Sequence, residues 1–133
     1  MTTATIPRIC AKPVPRVLVI DDDVVLARVI GRMLRTYDTT VETNPRAAIA
    51  RIRGGEQFDV VLTDMRMPGM TGLDVLQAIR SHFADRAGMP HIIVMSGSDE
   101  LSADELDTPV LLKPCFQIEV RTMVNRLLES RLS

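Results

Sequence analysis

The chain has 133 residues, of which 46% are hydrophobic, so it can bury one core but has no room for two. Its 16 lysines and arginines nearly balance 17 aspartates and glutamates, and the net charge of −1 argues against a nucleic acid or a membrane surface as the main partner. Cys10 and Cys115 lack the spacing of a zinc site or of a small disulfide scaffold, which favours the reducing cytoplasm.

Residues 1–15 are predicted to form a flexible N-terminal segment or linker. They contain three threonines and three prolines without a sustained apolar stretch. This composition matches neither a secretory signal nor a membrane span. We therefore expect a single folded domain over residues 16–131.

The first two predicted strands are each followed by a predicted helix. Residues 17–20 are apolar, and from Asp23 to Arg35 apolar side chains recur with helical spacing, which predicts a helix with one buried face. That face should carry Leu26, Val29, Ile30, Met33 and Leu34. A second strand is predicted around residues 40–43. Asn44-Pro45 then supplies the start signal of the next helix and Gly54-Gly55 its stop signal.

The second half of the chain continues this order. Apolar runs at residues 60–63, 92–95 and 110–112 predict three further strands. Helical spacing recurs at two sets of residues, which are Leu73, Leu76, Ile79 and Phe83, and Val120, Met123, Val124, Leu127 and Leu128. The strand runs do not alternate with polar residues, so helices should cover both faces of the sheet. We predict an α/β fold with a doubly wound, five-stranded parallel sheet.

Four of the five predicted strands end on side chains that can bind a metal or a phosphoryl group. These side chains are Asp21, Asp22 and Asp23, then Asp64, Ser96 and Lys113. In open α/β sheets the carboxyl ends of parallel strands form one ligand crevice. The sequence therefore predicts a single site with carboxylates, a hydroxyl and an ammonium group.

Each of these residues also has a structural interpretation. Asp23 is expected to cap the first helix. Taken singly, Asp64 and Ser96 fit turn positions, and Lys113 fits an exposed strand end. Adjacent carboxylates repel one another unless a cation is present, and hard oxygen ligands suit Mg²⁺. A positioned carboxylate can also act as a nucleophile. The arrival of all these groups in strand order favours the functional interpretation.

Four motifs together resemble a known family. They are VLVIDDD at residues 17–23, LTDMRMPGMTGLD at 62–74, VMSG at 94–97 and LKP at 112–114. In order and spacing they resemble the CheY-like receiver domains of bacterial two-component response regulators. The resemblance covers about residues 16–131 and implies the flavodoxin-like (βα)5 fold.

The resemblance also implies a chemistry. Asp64 would accept a phosphoryl group from a sensor histidine kinase or a phosphotransfer protein. Mg²⁺ would be held by Asp21, Asp22, Asp64 and the main-chain carbonyl of Arg66. Ser96 would bond a phosphoryl oxygen, and Lys113 would pair with the acyl phosphate. The domain would be a cytoplasmic signalling phosphoacceptor rather than an enzyme, capable only of self-phosphorylation and slow autodephosphorylation. It would act through an unidentified output partner.

The sequence departs from the family at two places. Where the family often has an aromatic residue shortly before the lysine, this chain has Val110, and in the family that Lys-Pro peptide bond is usually cis. Residues 97–109 leave space for at most about two helical turns, so the fourth helix should be shortened. The shortened segment alters the face that many receivers use to dimerise. We therefore expect a monomer, either a stand-alone regulator or the receiver of a hybrid kinase.

Two other classes of function remain open. A haloacid-dehalogenase-type phosphatase loosely matches Asp21-x-Asp23, but only Glu119 and Glu129 follow the lysine as further acidic residues. A phosphorylation-independent adaptor would be expected to lack the phosphoacceptor or the lysine. Neither His82 nor His91 is expected to act as a phosphorelay histidine.

Overall fold

The computed structural model of the protein describes residues 14–97, 106–113 and 117–132. Strands are β1 (Arg16–Ile20), β2 (Asp38–Glu42), β3 (Val60–Asp64), β4 (His91–Ser96) and β5 (Val110–Leu112). Helices within the described ranges are α1 (Val24–Met33), α2 (Pro45–Arg53), α3 (Gly72–His82) and α4 (Gln117–Leu132).

Three predictions fall on other parts of the chain. The shortened fourth helix lies largely outside the described residues, because only residues 106–109 at its carboxyl end are described up to β5. The flexible segment also lies outside them, apart from residues 14 and 15, and so does the proline of the Lys-Pro peptide bond.

The five strands form one parallel sheet in the order β2-β1-β3-β4-β5. The predicted doubly wound parallel sheet is therefore confirmed. All strands run the same way, so their carboxyl ends lie along one edge of the sheet. From β1, strand β2 is added on one side of the sheet and strands β3 to β5 on the other. Ligands of such folds bind at this switch point, between β1 and β3.

Apolar side chains cover both faces of the sheet. On β1, Leu18 and Ile20 belong to one buried cluster, while Val17 and Val19 belong to the other. The first cluster includes α2 and α3, and the second includes α1 and α4. This explains why the strand runs are continuously apolar, since successive side chains point to opposite and equally buried faces.

Local signals explain where the helices begin. The side chain of Asp23 accepts a hydrogen bond from the Leu26 amide at 3.1 Å, as predicted for the cap of α1. The side chain of Asn44 caps α2 through the amides of Arg46 and Ala47. Among the described residues, no helix is both long enough and apolar enough to span a membrane.

Two details of the sequence prediction were wrong. Strand β2 begins at Asp38, two residues earlier than predicted, because the amide of Asp38 bonds the Pro15 carbonyl at 3.0 Å and extends the pairing with β1. Local periodicity could not reveal that partner. Val29, predicted to be buried, is 40% exposed, and Ala27 is buried on α1 in its place.

Candidate functional site

Four neighbouring strands bring polar side chains to the carboxyl edge of the sheet. Asp21 follows β1 and is fully buried, and Asp64 ends β3 with 7% of its surface exposed. Ser96, also buried, ends β4, and Lys113 follows β5 directly. Since β1, β3, β4 and β5 are adjacent in the sheet, the order of the strands brings these groups together.

Three carboxylates form a compact acidic group. Asp21, Asp22 and Asp64 each offer an oxygen, and these oxygens lie within 4.8 Å of one another. Asp21 Oδ1 accepts a hydrogen bond from the Asp23 amide at 3.0 Å. Asp21 Oδ2 is buried and accepts no hydrogen bond from the described residues. This oxygen forms an ion pair of 3.6 Å with Lys113 Nζ but no hydrogen bond among the described residues, and beside two further carboxylates it fits a hard divalent cation such as Mg²⁺.

The third aspartate after β1 has a different role. Asp23 is not part of the acidic group among the described residues, and its side chain is used as the N-cap of α1. The triplet is therefore divided into one buried carboxylate, Asp21, one exposed carboxylate, Asp22, and one cap. The sequence alone predicted this division only for Asp23.

Lys113 lies between two of the carboxylates. Its Nζ is 2.7 Å from Asp64 Oδ1 and 3.6 Å from Asp21 Oδ2. Burial by itself would lower the pKa of Lys113, but the hydrogen bond to Asp64 and the charge of Asp21 outweigh it and raise that pKa above the ordinary value. The ammonium group is therefore charged at neutral pH and offsets part of the negative charge of the site.

The pKa of Asp21 is raised in the folded protein. Burial raises its pKa above the ordinary value of 3.8, and the negative charges of Asp64 and Asp22 act in the same direction. The hydrogen bond from the Asp23 amide and the charge of Lys113 oppose this rise without cancelling it. A cation bound between the carboxylates would remove the repulsion and favour the ionised form of Asp21.

The other two predicted site residues are Ser96 and Arg66. The main-chain carbonyl of Ser96 accepts a hydrogen bond from the Lys113 amide at 2.8 Å, which ties the end of β4 to the residue after β5. Arg66 follows Asp64 by two residues and has an exposed side chain. The proposed metal contact of its main-chain carbonyl stays a prediction.

Gly72 supports the site and was not identified from the sequence. A Cβ atom at this position would lie 2.7 Å from the Asp64 carbonyl oxygen and 3.0 Å from Met65 Cα. The amide of Gly72 also donates to the Met65 carbonyl at 2.8 Å. The signal in the sequence is the Thr71-Gly72 pair, because Thr71 and Asp74 form a capping box that starts α3 directly beside the strand end.

The arrangement has a clear chemical capacity. Asp64 presents a carboxylate oxygen in contact with an ammonium group, next to two carboxylates that can hold a cation. Such a site can bring a dianionic group to an oxygen nucleophile, since positive charge offsets the repulsion between them.

Val110, which replaces an aromatic residue of the family pattern, is half-buried at the start of β5.

Sequence comparisons relate the chain to known proteins. The family model of the response regulator receiver domain matches residues 17–125. The chemotaxis protein CheY of Pseudomonas aeruginosa is 31% identical, over 68% of this chain and 72% of its own length. A 3',5'-cyclic-nucleotide phosphodiesterase of Dictyostelium discoideum is 41% identical over 62% of this chain, but the match spans only 11% of the phosphodiesterase.

A solved structure gives the same architecture. The receiver domain of a sensor histidine kinase from Pseudomonas aeruginosa, with a magnesium ion coordinated in its active-site cleft, has a TM-score of 0.72 and 23% identity. The likeness covers 86% of this chain and 98% of that domain, and at this identity it establishes a common fold. Together with the family match over most of the sequence, it leads to one conclusion: the chain belongs to the response regulator receiver domain family of two-component systems.

Proposed function

We propose that this domain accepts a phosphoryl group on Asp64 from the phosphohistidine of a sensor histidine kinase or a phosphotransfer protein. The contact of 2.7 Å between Asp64 Oδ1 and Lys113 Nζ, beside the carboxylates of Asp21 and Asp22, carries the proposal. Receiver domains are signalling phosphoacceptors, and they are not enzymes that turn over an external substrate.

The proposed transfer is a displacement at phosphorus. A carboxylate oxygen of Asp64 attacks, a P–O bond forms, and the P–N bond of the phosphohistidine breaks. The bonding electron pair leaves with the imidazole nitrogen, which can then take up a proton. Asp64 is buried at the end of β3, so its oxygen approaches the donor from a fixed position.

The remaining site residues would handle charge. Lys113 would pair with a phosphoryl oxygen, and the Ser96 hydroxyl would donate a hydrogen bond to another. Mg²⁺, held by Asp21, Asp22, Asp64 and the main-chain carbonyl of Arg66, would offset the negative charge of the phosphoryl group. The acidic group and the magnesium ion in the related receiver domain support this part of the proposal.

Intact-mass measurement after treatment with acetyl phosphate tests the assignment. We expect one added phosphoryl group in the wild-type domain, and its loss either with EDTA or in Asp64→Asn. The matched control is Asp85→Asn, which changes an exposed aspartate outside the acidic group and should leave labelling unchanged. Equal labelling of Asp64→Asn and the wild type would refute the proposal.

The alternative functions are less well supported. A dehalogenase-type phosphatase needs further acidic metal ligands after the lysine, yet Glu119 and Glu129 are both exposed on α4. Among the described residues, Asp21, Asp22 and Asp64 make up the metal-ligating group. A phosphorylation-independent adaptor is the outcome that an absent mass shift would favour.

The biological setting is part of the proposal. The domain would act in the cytoplasm, change its partner surface on phosphorylation and bind neither nucleic acid nor membrane directly. It would be a stand-alone regulator or the receiver of a hybrid kinase, and one related structure is the receiver domain of a sensor histidine kinase. We expect it to stay monomeric, and light scattering with and without beryllofluoride checks this. A shift to dimers would contradict it.

A further inference from the structure

Arg80 joins helix α3 to the turn that precedes β5. Its Nη2 donates to two consecutive main-chain carbonyls, that of Leu106 at 3.0 Å and that of Asp107 at 2.8 Å. The two hydrogens of one guanidinium nitrogen can serve both acceptors at once. Arg80 is half-buried in the last turn of α3, and these bonds connect segments 26 and 27 residues apart in the sequence.

The turn held by Arg80 has an unfavourable backbone conformation. Asp107 has φ of 54°, the single positive value at a non-glycine residue within the described part of the chain. A side chain in this left-handed region costs free energy, although aspartate tolerates it better than most residues. A charged donor that binds the carbonyls of Leu106 and Asp107, one on each side of the Asp107 Cα, stabilises the turn against relaxation.

Strand β5 begins three residues after Asp107 and is the shortest of the five described strands. Within the described sheet it has one neighbour, β4. At its start, the Thr108 hydroxyl donates to the Ile92 carbonyl. At its end, Lys113 extends towards Asp64. A shift of the turn at Asp107 would therefore move β5, and with it Lys113, which directly follows that strand.

We propose that Arg80 is a positioning residue of the phosphoacceptor site. It holds the turn at Asp107, which fixes β5 against β4 and so places Lys113 Nζ against Asp64. Arg80 itself is at the opposite end of α3 from Gly72, and its two hydrogen bonds to the described residues go to the turn, not to the acidic group. The structural part stands on its own, while its consequence for phosphorylation rests on the proposed function.

Hydrogen exchange and phosphorylation kinetics of Arg80→Ala test this together. Loss of two charge-assisted bonds should speed exchange of the Lys113 amide by about tenfold relative to the Met65 amide, which directly follows β3 and donates to the Met95 carbonyl. Labelling of Asp64 by acetyl phosphate should slow by about tenfold, since a misplaced group can cost as much as ~100-fold. Mg²⁺ binding should not weaken, because its proposed side-chain ligands lie at the ends of β1 and β3.

Two further variants separate positioning from general stability. Arg86→Ala removes an exposed arginine just beyond the same helix and should match the wild type in every measurement. Arg80→Ala combined with Asp107→Gly should recover much of the lost exchange protection and labelling rate, because glycine adopts positive φ without strain.

The opposite results are equally specific. Unchanged exchange in Arg80→Ala, failure of Asp107→Gly to restore it, or a parallel loss of Mg²⁺ affinity would overturn the positioning role. Labelling that persists in Asp64→Asn would instead overturn the proposed function, and the exchange comparison would still decide the role of Arg80 in the turn.

Discussion

The two halves of the candidate site differ in how firmly they are held. Asp21 follows β1, and Asp64 ends β3. Both strands pair with neighbours on both sides and have almost wholly buried side chains. Lys113 follows β5, an edge strand of three residues in which Leu112 is 51% exposed. Asp21 and Asp64 are thus positioned by central strands of the sheet, whereas the Lys113 ammonium is positioned by an edge strand.

This difference has a physical consequence. Buried carboxylates that repel one another would separate if the backbone allowed it, so they need the best-packed strands. The single ammonium group of Lys113 is attracted to them, so an edge strand held through the turn at Asp107 is enough to place it. If Asp64 is phosphorylated as proposed, we infer that the response begins at β5, the edge strand, where local stability is lower.

The largest expected effect comes from the centre of the sheet. Leu62→Ala in β3 removes a fully buried side chain and should lower the free energy of unfolding by about 3 kcal/mol. Leu112→Ala in β5 removes a half-exposed leucine and should cost less than about 1 kcal/mol. Urea denaturation measures both. Equal losses would mean that the edge strand is as firmly held as the centre.

A smaller effect is expected where the backbone approaches Asp64. Gly72→Ala puts a Cβ atom 2.7 Å from the Asp64 carbonyl oxygen, so the strand end or the start of α3 must shift, at about 1–3 kcal/mol. Gly97→Ala, directly after β4, brings its Cβ within 4 Å of no atom of the described residues and serves as the control. Thermal unfolding of the two variants measures the contrast, and equal stability would show that the central backbone yields easily.

The charge of the central half can be tested by pH. Because burial raises the pKa of Asp21, the folded state binds its proton more tightly than the unfolded state does. This contribution to stability is complete below the ordinary value of 3.8 and is lost as pH rises through the folded pKa. In EDTA at pH 7, Asp21→Asn should therefore be more stable than the wild type, and the difference should vanish in acid. A less stable Asp21→Asn at pH 7 would contradict this.

The smallest effects distinguish the two exposed aspartates after β1. Asp22→Ala should weaken Mg²⁺ binding more than Asp23→Ala does, since Asp22 belongs to the acidic group. Asp23→Ala should instead lower stability by about 1 kcal/mol through loss of the α1 cap. A Mg²⁺ titration and a denaturation curve for each variant suffice. The opposite ranking in the titration would exchange the two assignments.

The order of the elements and the residues at the strand ends could be predicted from the sequence. Continuous apolar runs and helical spacing are local properties, and parallel strands necessarily bring Asp64, Ser96 and Lys113 to one edge. The capping role of Asp23 was predictable for the same reason, because a cap depends only on its own helix turn. The resemblance of four motifs then identified the family, which the family match confirmed.

How these groups meet depends on contacts between distant parts of the chain. The contact of Lys113 with both Asp64 and Asp21, the tight approach of Gly72 and the bonds from Arg80 all join segments far apart in the chain. The start of β2 at Asp38 likewise depends on its pairing with β1. Such distances follow from strand register and packing, and side-chain periodicity along one segment carries no information about the position of its neighbour.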